Sequence, residues 1–368
     1  MSATALRPAR AFDPVGWARA NLFNAWWSSA LTLVLIYAIV RALWGFIRWG
    51  FVHAVYSVPT GANGVPQTGV CQAAGVGACW AVIPEKIRFI LFAFYPFDQQ
   101  WRPALCCALF VALYAISANR FFWRRELALI WVGTLVVVGI LMWGGVFGLP
   151  YVPQYKWGGL PLTLILATLG LAAAFPLAVL VALGRRAANL PAVRLLCVIY
   201  VEIIRGAPLI AWLFMATVMF PLFMPEGVDI DKILAAQVAI ILFAAAYLAE
   251  VVRAGLQSLP RGQSEAADAL GLGYWRKMRL IILPQALRLV IPPLVNTFIG
   301  FFKDTSLVLI VGIFDLLKAG TTAVADPPWQ GQANEVYLFL AVIYFAFCFA
   351  MSKYSKGLER EFDRSRRH

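Results

Sequence analysis

Eight long apolar runs follow one another along the chain, and a fold must find an apolar surrounding for all of them. They cover Ser29–Phe51, Pro103–Asn119, Leu127–Phe147, Leu160–Leu183, Leu195–Ile204 continuing as Ala207–Met224, Ile233–Val252, Leu287–Phe302 and Val336–Met351. A membrane-crossing helix needs about 20 such residues. In lipid, every backbone N–H and C=O must be satisfied inside the protein, which leaves helices or closed barrels. The expected fold is all-α, polytopic, with about eight transmembrane helices. Phe89–Phe97 is too short to cross and is expected at the interface. Composition closes the alternatives. Only 13% of residues are charged and 62% are hydrophobic, whereas soluble domains carry about 25% charged residues. A soluble enzyme, a disordered chain and a nucleic-acid binder built on polar folds are excluded.

A net charge of +13 would suit nucleic acid if the cations formed one accessible patch. Instead they stand in short groups between the apolar runs, as topology signals do. With both termini inside, 21 of the 31 basic residues fall in cytoplasmic segments. Six fall outside, and Arg41, Arg48, Arg205 and Lys303 lie within or at the ends of runs. Arg7, Arg10 and Arg19 precede a first run that is long and lacks a small-residue cleavage site, so no cleavable leader is expected.

The outer loop between the first two runs carries Cys71 and Cys79 among Gly, Pro and Gln. An outer compartment permits a disulfide there, and two free thiols are the alternative. The histidines are His53 and His368, so no metal site is expected. No Gly-x-x-x-x-Gly-Lys-Ser/Thr loop occurs, and the chain is not expected to hydrolyse ATP itself.

The one long polar cytoplasmic segment, 257–285, reads QSLPRGQSEAADALGLGYWRKMRLIILPQ. Gln263–Leu270 is expected to form a short helix with Glu265 and Asp268 near its start, where the dipole favours them. Gly271 can take the left-handed conformation that ends a helix, and Gly273 permits a further turn. Arg276, Lys277 and Arg279 then alternate with Trp275, Met278 and Leu280, and Pro284 marks the entry into the seventh run. Two uses fit: docking in another protein's groove, or lying on the membrane surface.

The spacing Glu265-Ala266-Ala267, three residues, Gly271, nine residues, Ile281, one residue, Leu283-Pro284 resembles the EAA loop of bacterial ABC import permeases. Gly158–Leu164, the stretch from Val201 to Leu209, Tyr247–Leu256 and Lys303–Leu307 are similar to segments of the polar amino-acid permeases, with Ala207 where Thr is usual. The whole chain looks most like the long permease subunit of general L-amino-acid or glutamate/glutamine/aspartate importers. The resemblance implies a type I ABC importer permease core over 157–352 and an extra N-terminal membrane region over 29–150, with its external loop at 52–102. It also implies cytoplasmic ends at 1–28 and 353–368 and a bacterial inner-membrane location. Glu265, Ala266, Ala267, Gly271, Ile281, Leu283 and Pro284 would couple the chain to ATPase subunits, which would bind ATP and Mg. A second permease subunit, a periplasmic amino-acid-binding protein, an L-amino-acid substrate and the lipid bilayer would be the other partners. No nucleic acid is implied.

Charged and polar residues at membrane depth are candidates for the substrate pathway. Glu202 and Arg205 stand i,i+3 on one helical face and can pair there, as can Glu250 and Arg253. Asn296 lies within the seventh run, and Lys303, Asp304, Thr305 and Ser306 stand where that run breaks. A self-sufficient secondary transporter or channel for polar solutes is the competing class. It would show paired repeats or broken helices in matched halves, which the sequence does not display, and would need no docking loop.

Overall fold

The computed structural model describes residues 13–61, 65–124 and 126–366, with side chains omitted at 120 and beyond 360. Arg7, Arg10, Arg125 and Arg367, which enter the charge count, and His368 lie outside the described residues. Two compact units form, Met1–Ala81 and Val82–His368.

In the first unit, the carboxylate of Asp13 caps α1 (Pro14–Asn21) by accepting from the backbone N–H groups of Val15 and Gly16. The next helix, α2 (Trp26–Ile47), continues through a wide π turn at Arg48–Val52, giving one span of 27 residues. Beyond it, backbone hydrogen bonds draw the loop back: Ala78 N–H donates to the Trp49 carbonyl at 2.7 Å and Val55 N–H to the Ala78 carbonyl at 2.8 Å. Gly77 makes this return possible, since a Cβ there would lie 2.2 Å from the Trp49 carbonyl oxygen. Cys71 and Cys79 form a disulfide with their Cα atoms 5.5 Å apart.

The second unit holds α3 (Val82–Phe92), α4 (Trp101–Ala118), α5 (Glu126–Trp143), α6 (Gly159–Gly184), α7 (Pro191–Gly206), α8 (Leu209–Phe214), α9 (Lys232–Gln257), α10 (Arg261–Ala269), α11 (Tyr274–Lys277), α12 (Leu283–Asp304), α13 (Leu316–Ala323) and α14 (Ala333–Arg366). Among the described residues, seven helices are long and apolar enough to cross a membrane, and an eighth span arises if a bent pair is counted as one. The described residues form no strand longer than isolated bridges. The fold is all-α.

The pair α6–α9 is the centre of the larger core. Ala174, Ala178 and Ala182 on α6 and Ala236, Ala244, Ala245 and Ala249 on α9 are fully buried. Small residues let helices approach closely where lipid removes the usual hydrophobic drive between them. Gly170 has the same role, because a Cβ there would come within 2.9 Å of Ile240 Cγ2. A second core joins Cys106 and Phe110 of α4, Val138, Leu141 and Met142 of α5, Leu164, Ile165 and Ala167 of α6, and Phe302 of α12. Thus α4 and α5 pack in the unit that contains α6. The segment expected to be interfacial becomes α3, packed against α13 and α6, with Lys86 bonded to Asp326 at 2.5 Å.

The fifth run is not one straight helix. Pro191–Gly206 and Leu209–Phe223 meet at 102°. Pro208 cannot donate a helical N–H and drives the preceding residue out of the α region. Ala207 accordingly sits at φ −125°, ψ 150°.

Candidate functional site

The polar segment 257–285 folds as a helix, a turn and a second short helix. The first helix, α10, opens two residues before the expected Gln263, directly after Pro260, and Gly271 ends it at φ +70°. The N–H of Leu272 returns to the Ala267 carbonyl at 3.2 Å and that of Gly271 to the Asp268 carbonyl at 2.9 Å, the paired bonds of a glycine-terminated helix. Lys277 then pins α11 back onto α10, its ammonium donating to both Asp268 oxygens at 2.7 and 2.8 Å. Gln285 reaches Gln263 at 3.2 Å.

Within this projection the motif residues divide. Glu265 and Ala266 are exposed, as are Leu270, Tyr274 and Trp275. Ala267 is only 1% exposed. It faces the chain's own interior and offers no exposed surface in this structure. Ala267 alone of the residues from Glu265 to Leu270 falls on the side of α10 that packs on the chain. Ile281 and Leu283 pack against the larger core, and the Ile281 carbonyl accepts from Gln285 at 3.0 Å. Glu265, Ala266, Gly271 and Pro284 are exposed, and Ile281 and Leu283 root the loop.

A cluster of five charges comes from two helices, α7 and α9, and from the end of a third, α6. Glu250 of α9 accepts from Arg185, which closes α6, and from Arg253 at 2.8 Å and 3.1 Å. Arg205 of α7 approaches the same carboxylate at 3.8 Å and lies 5.2 Å over the Tyr247 ring. Arg185 also donates to Glu202 at 3.1 Å. The expected Glu202–Arg205 pair is therefore not formed. Both residues do share a face of α7, but that face meets α6 and α9, where Arg185 and Glu250 offer partners. Glu250 and Arg253 do pair as their spacing suggested.

Comparison with known proteins adds the decisive observation. Residues 174–364 match the family described as "Binding-protein-dependent transport system inner membrane component". The chain belongs to that family. It is 48% identical over 356 residues to the inner membrane amino-acid ABC transporter permease protein YhdY of Escherichia coli K12, covering 95% of this chain and 93% of that one. It is 36% identical to the glutamate/glutamine/aspartate/asparagine transport system permease protein BztC of Rhodobacter capsulatus, covering 98% and 96%. The L-cystine transport system permease protein TcyB of Bacillus subtilis is 36% identical but covers only 56% of this chain against 86% of its own length. Among solved structures, a chain from "Crystal structure of an amino acid ABC transporter with histidines" is 31% identical and covers 55% of this chain and 92% of its own, with a TM-score of 0.49.

The remaining candidates in this binding-protein-dependent permease lie along α12 and its end. Asn296 and Lys303 are exposed and seven residues apart, hence on one helical face. Asp304 is half-buried. Thr305 is buried and donates to the Phe302 carbonyl at 2.8 Å, and Ser306 donates to the Lys303 carbonyl at 2.8 Å, so both hydroxyls close onto the preceding turn. Glu202 and Arg205 join the charge cluster, whereas the hydrogen bond of Ser306 stays local and the Thr305 hydroxyl also meets Tyr344.

Three polar residues were not legible in the sequence. Arg185 reads as one of a pair of topology cations. Arg102, fully buried, donates to the Leu141 carbonyl at 2.6 Å and the Pro150 carbonyl at 2.9 Å, so it caps the end of α5, where the dipole favours a cation. Asp315, also fully buried, caps α13 by accepting from Leu317 N–H at 3.2 Å and Lys318 N–H at 2.9 Å. Tyr344 donates to it at 3.5 Å. Burial pushes the Asp315 carboxyl up to about 6, against the lowering effect of those N–H groups. Asp before a short apolar segment is an ordinary N-cap signal, but nothing in the sequence marked its burial.

Proposed function

We propose that this chain is the membrane subunit of an importer that carries L-amino acids inward by alternating access, driven by separate ATPase subunits that bind ATP and Mg. The observation that carries the reading is the rigid projection α10–α11, with Glu265 and Ala266 outward and its root in the core. Such a projection suits the groove of an ATPase, and ATP-driven closure of two ATPases would push it and tilt the fifth to seventh spans. A second permease subunit and a periplasmic amino-acid-binding protein complete the assembly in this reading. Both termini face the cytoplasm, so that the cation-rich segments lie inside. Segments 1–28 and 353–368 are then cytoplasmic ends, 29–150 an added membrane region, and 157–352 the transport core. The names of the long relatives support an amino-acid cargo. Asn296, Lys303 and Asp304 supply donors and acceptors for a zwitterion along α12.

Glu265→Arg and Gly271→Asp test the docking. Each should lower ATPase co-purification and ATP-driven uptake by about 30-fold, the effect of losing one interface hot spot worth roughly 2 kcal/mol. Intact co-purification and uptake in both variants would refute it. Competition of uptake by a panel of L-amino acids identifies the cargo.

A further inference from the structure

The charge cluster is placed where two moving parts of a transporter would meet. Glu250 lies seven residues before the end of α9, the helix that leads into the projection. That stretch is continuous α-helix and spans about 10 Å at 1.5 Å per residue, so it moves as one piece. On the other side, Arg205 is next to Gly206, and the chain bends by 102° immediately after it. Two routes join Glu250 to α7. One is direct, to Arg205 at 3.8 Å. The other runs through Arg185, which holds Glu250 and, at 3.1 Å, Glu202.

The cluster also has a form that simple topology does not require. Three guanidiniums converge on one carboxylate whose side chain is 18% exposed. The more accessible Glu202, 63% exposed, takes a single bond. A surface ion pair contributes little, whereas removing the shared partner of a partly buried set leaves charge uncompensated. Glu250 is the one residue whose loss cuts both routes at once.

We infer that Glu250 is a positioning residue for transport, tying the root of the ATPase-facing projection to the bend of the fifth span so that displacement of one moves the other. The inference rests on the importer reading. In it, α9 carries motion from the projection to Glu250, Arg205 and Arg185 pass it to α7, and α7 turns α8 about Ala207–Pro208. The cluster acts through geometry and touches no reacting atom.

The test uses the full importer, reconstituted with its ATPase and binding protein in liposomes. Uptake and ATP hydrolysis are measured together for the wild type, Glu250→Gln, Arg185→Gln and Arg205→Gln. Glu250→Gln should assemble, hydrolyse ATP at the basal rate within about twofold, and lose about tenfold in solute moved per ATP, within the range of measured site-to-site couplings. Arg185→Gln and Arg205→Gln each cut one route and should show smaller losses of the same ratio. A ratio unchanged in Glu250→Gln would overturn the inference, as would uptake and hydrolysis falling in proportion, the mark of a merely structural role. If Glu250→Gln does not assemble, the two arginine variants decide, and unchanged ratios in both overturn it. A wild-type complex without ATP-driven uptake would instead sink the importer reading.

Discussion

The larger unit carries two carboxylates of opposite design, Glu250, which is partly buried, and Asp315, which is fully buried. Glu250 is surrounded by cations: Arg185, Arg253 and Arg205. Asp315 has neutral partners, namely two backbone N–H groups and the Tyr344 hydroxyl. A cation-paired carboxylate stays charged, and its partners depend on it as much as it depends on them. A carboxylate held by N–H groups keeps only part of its solvation, and burial lifts Asp315 toward about 6. The first arrangement can transmit a displacement among several helices. The second fixes the start of one short helix and is sensitive to pH.

Substitution should separate the two. The largest effect is expected from Glu250→Ala, which strands three guanidiniums. Breaking a buried ion pair from one side costs about 3–5 kcal/mol; with Glu250 18% and Arg205 38% exposed, solvent screens part of that, and thermal unfolding of the purified chain in detergent should report a loss at or somewhat below about 3 kcal/mol. A loss below about 1 kcal/mol would put Glu250 with ordinary exposed pairs.

Asp315→Asn comes next, and its signature is a pH profile. The folded-state carboxyl titrates near 6, above its ordinary value of 3.8, so between those values the folded chain holds more proton than the unfolded one. The raised value contributes stability in full below the unfolded pKa, and that contribution is lost as pH rises through about 6. A shift of this size corresponds to about 3 kcal/mol. Asn keeps a capping oxygen and cannot titrate, so the variant should flatten that part of the stability profile between pH 4 and 7. An unchanged slope would break the contrast. The smallest effect belongs to Tyr344→Phe. Its bond to Asp315 is 3.5 Å long, and equilibrium unfolding should move by less than about 1 kcal/mol.

Much of the fold could be read directly. Seven of the eight apolar runs became helices long enough to cross, because hydrophobic length is a local property. The fifth run was seen as interrupted, and Pro208 explains why, but the 102° bend depends on packing around it. The polar projection was legible because Gly271 and the EAA spacing are local too. What stayed hidden was long-range. Glu202 and Arg205 suggested a pair by spacing, and only the packing of α6, α7 and α9 showed that each had a better partner on another helix. Ala267 looked equivalent to Ala266 until the orientation of α10 separated them. Asp315 and Arg102 sit beside ordinary loops in sequence and inside the protein in space.

The wide π turn at Met278–Ile282, between the projection and α12, sets a phase. It holds one residue more than an α-turn would need, and one residue is worth about 100° of rotation about a helix axis. Deleting a single residue there would leave the sequences on either side untouched, yet would turn the face of α12 by more than a quarter circle relative to the projection. A substitution at any one of the five positions changes one side chain, whereas an indel changes which side of the seventh span the projection addresses.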